Sequence, residues 1–145
     1  LIYVKSNLPS KVVNLYDFNK EIQCVPMELN VANKKYVIFS IYSPPKQNLN
    51  FFLDRLSEGL EFYFKNYENI CIIGDFKATP SNPSLIQFFE NQNLKNLVKN
   101  PTCFKSLQGS TIDLILTNNI YLFQKTQSFE TRISDHHHLI HNTKN

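Results

Sequence analysis

Long apolar runs are missing from this 145-residue chain, and without a stretch of ~18 apolar residues no helix can span a bilayer. The first residues also lack a charged-then-apolar leader, so the expectation is an intracellular protein, in nucleus or cytoplasm, with no membrane partner. Cysteine is scarce and odd in number. Cys24, Cys71 and Cys103 are widely spaced, and two sit in apolar, strand-like contexts, which favours buried reduced thiols over a disulfide framework. Internal repeats and low-complexity linkers are absent, which excludes a solenoid or a string of tethered modules. Charge is limited too: a net +3 and a pI of about 8.7 tolerate a polyanionic partner without requiring one.

What is present fits one compact unit. A hydrophobic fraction of 42% argues against disorder, and the length suits a single domain over residues 1–141 with a short tail, 142–145. The abundance of Asn, Lys, Ile, Phe and Tyr is the imprint of AT-rich coding and says nothing about mechanism.

Strand and helix patterns alternate along the chain. Residues 1–5, 11–16 and 21–31 are short β-branched or aromatic runs separated by polar turns such as 17–20, and read as a meander in which Pro26 pushes its strand toward a sheet edge. Residues 36–42 are nearly all apolar, the mark of a strand buried on both faces, and Pro44 and Pro45 end it. Asn48 can cap a helix to about Tyr67, with Leu49, Phe52, Leu53, Leu56, Leu60 and Phe64 on one stripe. A second apolar strand over 69–74 ends at Gly74, whose freedom would let the backbone turn and present Asp75. Pro83 suits the first turn of a helix to about Asn91 capped by Ser81 or Asn82, with Leu85, Phe88 and Phe89 inward. Strands follow over 111–116 and 121–129, and a short one after His136. Buried strands interleaved with amphipathic helices imply an α/β fold, sheets covered by helices.

Four short motifs carry the chemistry. Ile41-Tyr42-Ser43-Pro44-Pro45 puts a tyrosine at a strand end, where its ring packs and its hydroxyl reaches out. Gly74-Asp75-Phe76 puts a carboxylate at another. Ser110-Thr111-Ile112-Asp113-Leu114-Ile115 buries an aspartate in an apolar strand, where a carboxylate needs a partner. Ser134-Asp135-His136 sets a carboxylate beside an imidazole. Each has a plainer reading: Asp75 as a turn residue, Tyr42 as a core-edge ring, Thr102 in Asn100-Pro101-Thr102-Cys103-Phe104 as another turn residue. His137, His138 and His141 extend the run past His136, but neighbours on a strand point to opposite faces, which disfavours a metal site of consecutive histidines.

In this order the motifs resemble the endonuclease/exonuclease/phosphatase superfamily, and within it the apurinic-endonuclease-like domain that precedes the reverse transcriptase in non-long-terminal-repeat, LINE-type retrotransposons. The resemblance implies a four-layer α/β sandwich: two stacked mixed sheets with helices outside and a site where strand ends from both sheets meet. It implies a Mg²⁺ (or Mn²⁺) dependent phosphodiesterase that nicks DNA as a monomer, joined in a full-length element to a reverse transcriptase in the same polypeptide.

By this likeness Asp75 orients or deprotonates the attacking water and His136 contacts the scissile phosphate. Asp135 or Asp113 orients the imidazole, with Asp135 also a candidate metal ligand. Tyr42 completes the catalytic set, and Lys77 and Thr102 touch the substrate.

Two departures bear on activity. The family reads Gly-Asp-Phe-Asn where this chain has Lys77 in place of Asn, and lysine offers donors only. No residue matches the family's metal-binding Glu, so the chain reads as a copy lacking the first strands, with weak or no activity. A non-catalytic nucleic-acid- or phosphate-binding remnant, or a phosphatase on the same scaffold, is the alternative.

Overall fold

The computed structural model describes residues 2–13, 22–31, 33–130 and 134–143. Its framework is a six-stranded mixed sheet built from β1 (Ser10–Val12), β2 (Gln23–Val31), β3 (Lys34–Tyr42), β4 (Asn69–Asp75), β5 (Lys95–Asn96) and β6 (Asp113–Thr117). The spatial order is β1-β2-β3-β4-β6-β5, and only the β3–β4 pair is parallel. That parallel pair demands a crossover, which α1 (Leu49–Asn66) supplies. Asn48 caps α1 by accepting the Phe51 amide hydrogen at 3.1 Å, and Asn82 caps α2 (Pro83–Asn91) through Ser84 at 3.0 Å.

Both helices cover one face of the sheet. Val37, Phe39 and Ile41 of β3, Ile70 and Ile72 of β4, and Leu114 and Leu116 of β6 meet Phe52, Leu56 and Leu60 of α1 and Leu85 of α2. The opposite face carries a smaller core of Cys71, Val98 and Ile115. A two-stranded antiparallel sheet, β7 (Phe123–Phe129) and β8 (His138–Thr143), sends Phe123 and Leu139 onto it. Helices, large sheet and small sheet thus form three stacked layers among the described residues, an α/β arrangement of two sheets with helices outside.

Several local expectations change. Residues 2–5 form no strand; Tyr3 is almost fully exposed, and a β-branched run with no face to bury gains nothing from the extended pattern. Residue 1, the turn at 17–20 and residues 14–16 of the run 11–16 lie outside the described residues. Pro26 is not on an edge strand, since β2 lies between β1 and β3. It is tolerated because its backbone polar atoms face the end of β1, where only its carbonyl is needed, accepting the Val13 N–H at 3.3 Å. On β3 the face toward the helices is buried while Tyr36, Ile38 and Ser40 on the other are half-buried, because the small sheet covers less than the helices do. Residues 120–122 form a 3₁₀ turn that delays β7 to Phe123.

Gly74 plays a different part from the one its flexibility suggests. A Cβ placed there would lie 2.0 Å from the Ile41 carbonyl oxygen, so glycine is needed for the close approach of β3 and β4, not for a turn.

Candidate active site

Register places three of the candidate side chains in a row. Tyr42 pairs with Asp75 across the parallel β3–β4 ladder, and Asp75 pairs with Asp113 across the antiparallel β4–β6 ladder. The row lies at the end where β3 and β4 finish, and the Ser43 N–H locks it by donating to the Asp75 carbonyl at 3.0 Å. Tyr42 remains 38% exposed, so its hydroxyl is accessible.

His136 reaches this row from elsewhere. Residues 134–137 run antiparallel to 102–104: Cys103 and His136 form a bridge, the Phe104 N–H donates to the Asp135 carbonyl at 2.8 Å, and the His137 N–H donates to the Thr102 carbonyl at 2.7 Å. The result is a contact of 2.8 Å between His136 Nδ1 and Asp113 Oδ2. Asp113, rather than Asp135, is therefore the carboxylate that holds the imidazole.

Asp135 faces another way. Its carboxylate lies 3.5 Å from Lys105 Nζ and 3.9 Å from Cys103 Sγ, and its side chain is exposed. Desolvation alone would raise its pKa, but its own backbone N–H, Lys105 and His136 outweigh that and hold it below the usual carboxylate value. Two groups of ligand-type atoms result, each within 4.8 Å: Asp75, Asp113 and His136 in one, Cys103, Asp135 and His136 in the other. The first, with two carboxylates, suits a hard cation such as Mg²⁺.

Thr102 lies beneath the site instead of on its surface. It is fully buried, and its hydroxyl oxygen accepts the N–H groups of Ile112 at 3.2 Å and Asp113 at 3.0 Å. Contact with a substrate backbone is thereby excluded in this arrangement. Through its hydroxyl Thr102 fixes Asp113 and through its carbonyl it fixes the segment bearing His136, so one residue positions both halves of the pair.

Lys77 folds back on the site. Its backbone, at φ 55°, lets its N–H donate to Asp75 Oδ1 at 3.0 Å while its ammonium ion-pairs with Asp75 Oδ2. The ammonium also lies 5.6 Å from the centre of the Tyr42 ring. The Asp75 contact is the main cause that raises the Lys77 pKa, against an opposing desolvation.

The other histidines separate as strand geometry requires. His137 stacks on Phe104 with ring centres 4.3 Å apart and its Nδ1 lies 3.4 Å from Ser128 Oγ, while His138 is exposed at the start of β8. The side chain of His141 lies outside the described ones. The Phe104–His137 stack and the place of Cys103 beside Asp135 are marked in the residue pattern by no more than the position of Cys103 and Phe104 directly after Thr102.

A family model described as endonuclease-reverse transcriptase matches residues 36–140. Among solved structures, the endonuclease domain of TRAS1, a telomere-specific non-LTR retrotransposon, superposes with a TM-score of 0.79 at 14% identity, over 95% of this chain and 68% of that one. A mannosyl-6-phosphatase from Bacteroides thetaiotaomicron gives 0.62 at 14% identity, over 81% and 56%. A 3′-5′ exonuclease from Neisseria meningitidis gives 0.61 at 13%, over 81% and 64%. At these identities the likeness is one of fold, and the chain spans less than two thirds of the latter two. No curated protein matches by sequence.

Proposed function

We propose, on the premise that this chain belongs to the endonuclease-reverse transcriptase family, that the row Tyr42, Asp75, Asp113 with His136 binds a DNA phosphodiester and cleaves it. The single observation that carries this reading is the convergence of those four residues, drawn from three adjacent strand ends and a distant loop, onto one spot. In a full-length element the domain would be joined to a reverse transcriptase.

The side chains divide the work. With Nδ1 tied to Asp113, His136 is held in one orientation and offers its other ring edge to a phosphoryl oxygen. Asp75 is the acceptor placed to orient or deprotonate water, and the Tyr42 hydroxyl donates to the phosphate. Asp75 and Asp113 would hold Mg²⁺ or Mn²⁺, which when bound supplies charge neutralisation and an acidified water. Lys77 opposes turnover, because its ammonium already occupies an oxygen of Asp75 and offers no acceptor for water.

That ion pair favours a second reading, a fold that binds phosphodiesters and turns them over poorly. A supercoiled plasmid assayed in Mg²⁺, alongside a filter-binding measurement, separates the two. Slow nicking removed by His136→Ala and Asp75→Ala supports the endonuclease; DNA retention that needs Lys77 with no nicking supports the binding fold. Efficient nicking untouched by either alanine variant defeats both.

A further inference from the structure

In the second group of ligand atoms, Cys103, Asp135 and His136, the first two have no part in the chemistry above and His136 is shared with it. Cys103 differs from the other two free thiols, since neither Cys24 nor Cys71 belongs to a cluster of metal-ligand groups among the described residues. Cys103 Sγ lies 3.9 Å from Asp135 Oδ2, and a ring nitrogen of His136 is within 4.8 Å of both. A tetrahedral zinc ion, with bonds of ~2.3 Å to sulfur and ~2.1 Å to oxygen, holds those two atoms about 3.6 Å apart. The observed separation is thus within a few tenths of an ångström of the requirement, before any side chain moves.

We infer that Cys103, Asp135 and His136 form a binding site for a thiophilic divalent cation such as Zn²⁺, separate from the carboxylate pair that suits a hard cation. The donor set of one sulfur, one nitrogen and one oxygen is that of zinc and cobalt; magnesium prefers oxygen alone. Cys103 is anchored by its backbone bridge to His136 and by pairing with Ser110, so the backbones that carry two of the three ligands are held side by side before the ion arrives. Asp135 is exposed and completes the site from the solvent side. The ammonium of Lys105 beside it, itself largely exposed, swings away on metal entry. Binding replaces the thiol proton of Cys103 with the metal and releases that proton to solvent, leaving a fourth position for water.

The two sites share His136, and this has a consequence. An ion at Cys103 draws the imidazole away from Asp113, so Zn²⁺ inhibits any cleavage that needs the Asp113–His136 pair; this inhibition rests on the proposed function, whereas the binding does not. The test is a titration of the purified chain with Co²⁺ in the absence of Mg²⁺. One equivalent should produce a near-ultraviolet thiolate-to-cobalt band, displaced by Zn²⁺, absent in Cys103→Ser and in Asp135→Asn, and retained in Cys71→Ser and Asp75→Asn. Asp135→Asn alters an exposed side chain and keeps the test decisive should Cys103→Ser not fold. No band in the native chain, or a band that survives Asp135→Asn, overturns the site. A band without any DNA cleavage would instead support the site and count against the endonuclease reading.

Discussion

His136 and Asp113 meet at 2.8 Å although 23 residues separate them, and neither is placed there by its own neighbours in sequence. Both hang from Thr102, which takes the Asp113 N–H on its hydroxyl and the His137 N–H on its carbonyl. The pair is a product of this three-way junction.

If the pair does the chemistry, Asp113→Asn should lower Mg²⁺-dependent nicking by ~10²-fold while leaving the fold intact, since the amide keeps the shape and loses the charge that orients the imidazole. Single-turnover nicking compared with the circular dichroism spectrum checks this. An unchanged rate would remove Asp113 from the machinery.

Thr102→Val removes the hydroxyl but keeps the volume, stranding the N–H groups of Ile112 and Asp113 at a cost of about 1–3 kcal/mol. Urea unfolding should show that loss, and nicking should fall further than for a surface control because Asp113 is released. Thr102→Ser should restore both.

Freeing Asp75 from its ammonium should open the carboxylate site. Lys77→Asn is expected to raise Mn²⁺ affinity by roughly tenfold, ~1.4 kcal/mol, as read by electron paramagnetic resonance of free Mn²⁺. Equal affinities in the two proteins would show that Lys77 swings clear without cost.

Far from the site, Tyr67 and Glu28 make a pH-dependent tie between the C-terminal end of α1 and β2 of the six-stranded sheet. The Tyr67 hydroxyl donates to Glu28 at 2.7 Å and is the main cause that holds the Glu28 carboxyl below its ordinary 4.5, against desolvation and with help from Lys11 at 3.3 Å. Burial first, then Glu28, pushes Tyr67 up to about 12. A carboxylate lowered on folding stabilises fully above its unfolded pKa, and that stability fades as pH falls from about 4.5 through the lower folded value. Tyr67→Phe should therefore cost about 1.5–3 kcal/mol at pH 7, with the difference from the native protein shrinking below pH 4.5. A pH-independent difference in thermal midpoints would refute the charge's role.

Gly74→Ala places a methyl group into the Ile41 carbonyl, from which only backbone movement offers relief. A loss of about 3 kcal/mol or more is expected, together with separation of Tyr42 from Asp75. Chemical denaturation and the nicking assay should fall together.

Much of this was legible in the residues. The Asn48 cap, a helix with an apolar stripe behind it and the two apolar strands follow from spacing and side-chain chemistry, though the first strand is fully buried on one face alone. The stripe missed Tyr63, which is buried while Phe64 is only partly so, because Phe39 of β3 meets Tyr63 edge-on at 4.8 Å. β5 was invisible: two residues carry no periodicity, and their place at the sheet edge is set by pairing with β6, Lys95 opposite Thr117 and Asn96 opposite Leu116. Gly74 was identified for the wrong reason, since a close approach between strands leaves no mark that differs from a turn.

Local chemistry therefore determined the elements, the α/β class and which residues were worth watching, because caps, periodicities and strand-end carboxylates act over a few residues. Which carboxylate holds His136 could not be decided that way: Asp135 is its chain neighbour, and Asp113 is not. Strand register set Asp113 opposite Asp75, and the bridge from Cys103 to His136 turned the imidazole toward it, leaving Asp135 beside a thiol on the other side. Contacts of that kind depend on the whole chain having closed, which is why tertiary structure alone assigned the partners.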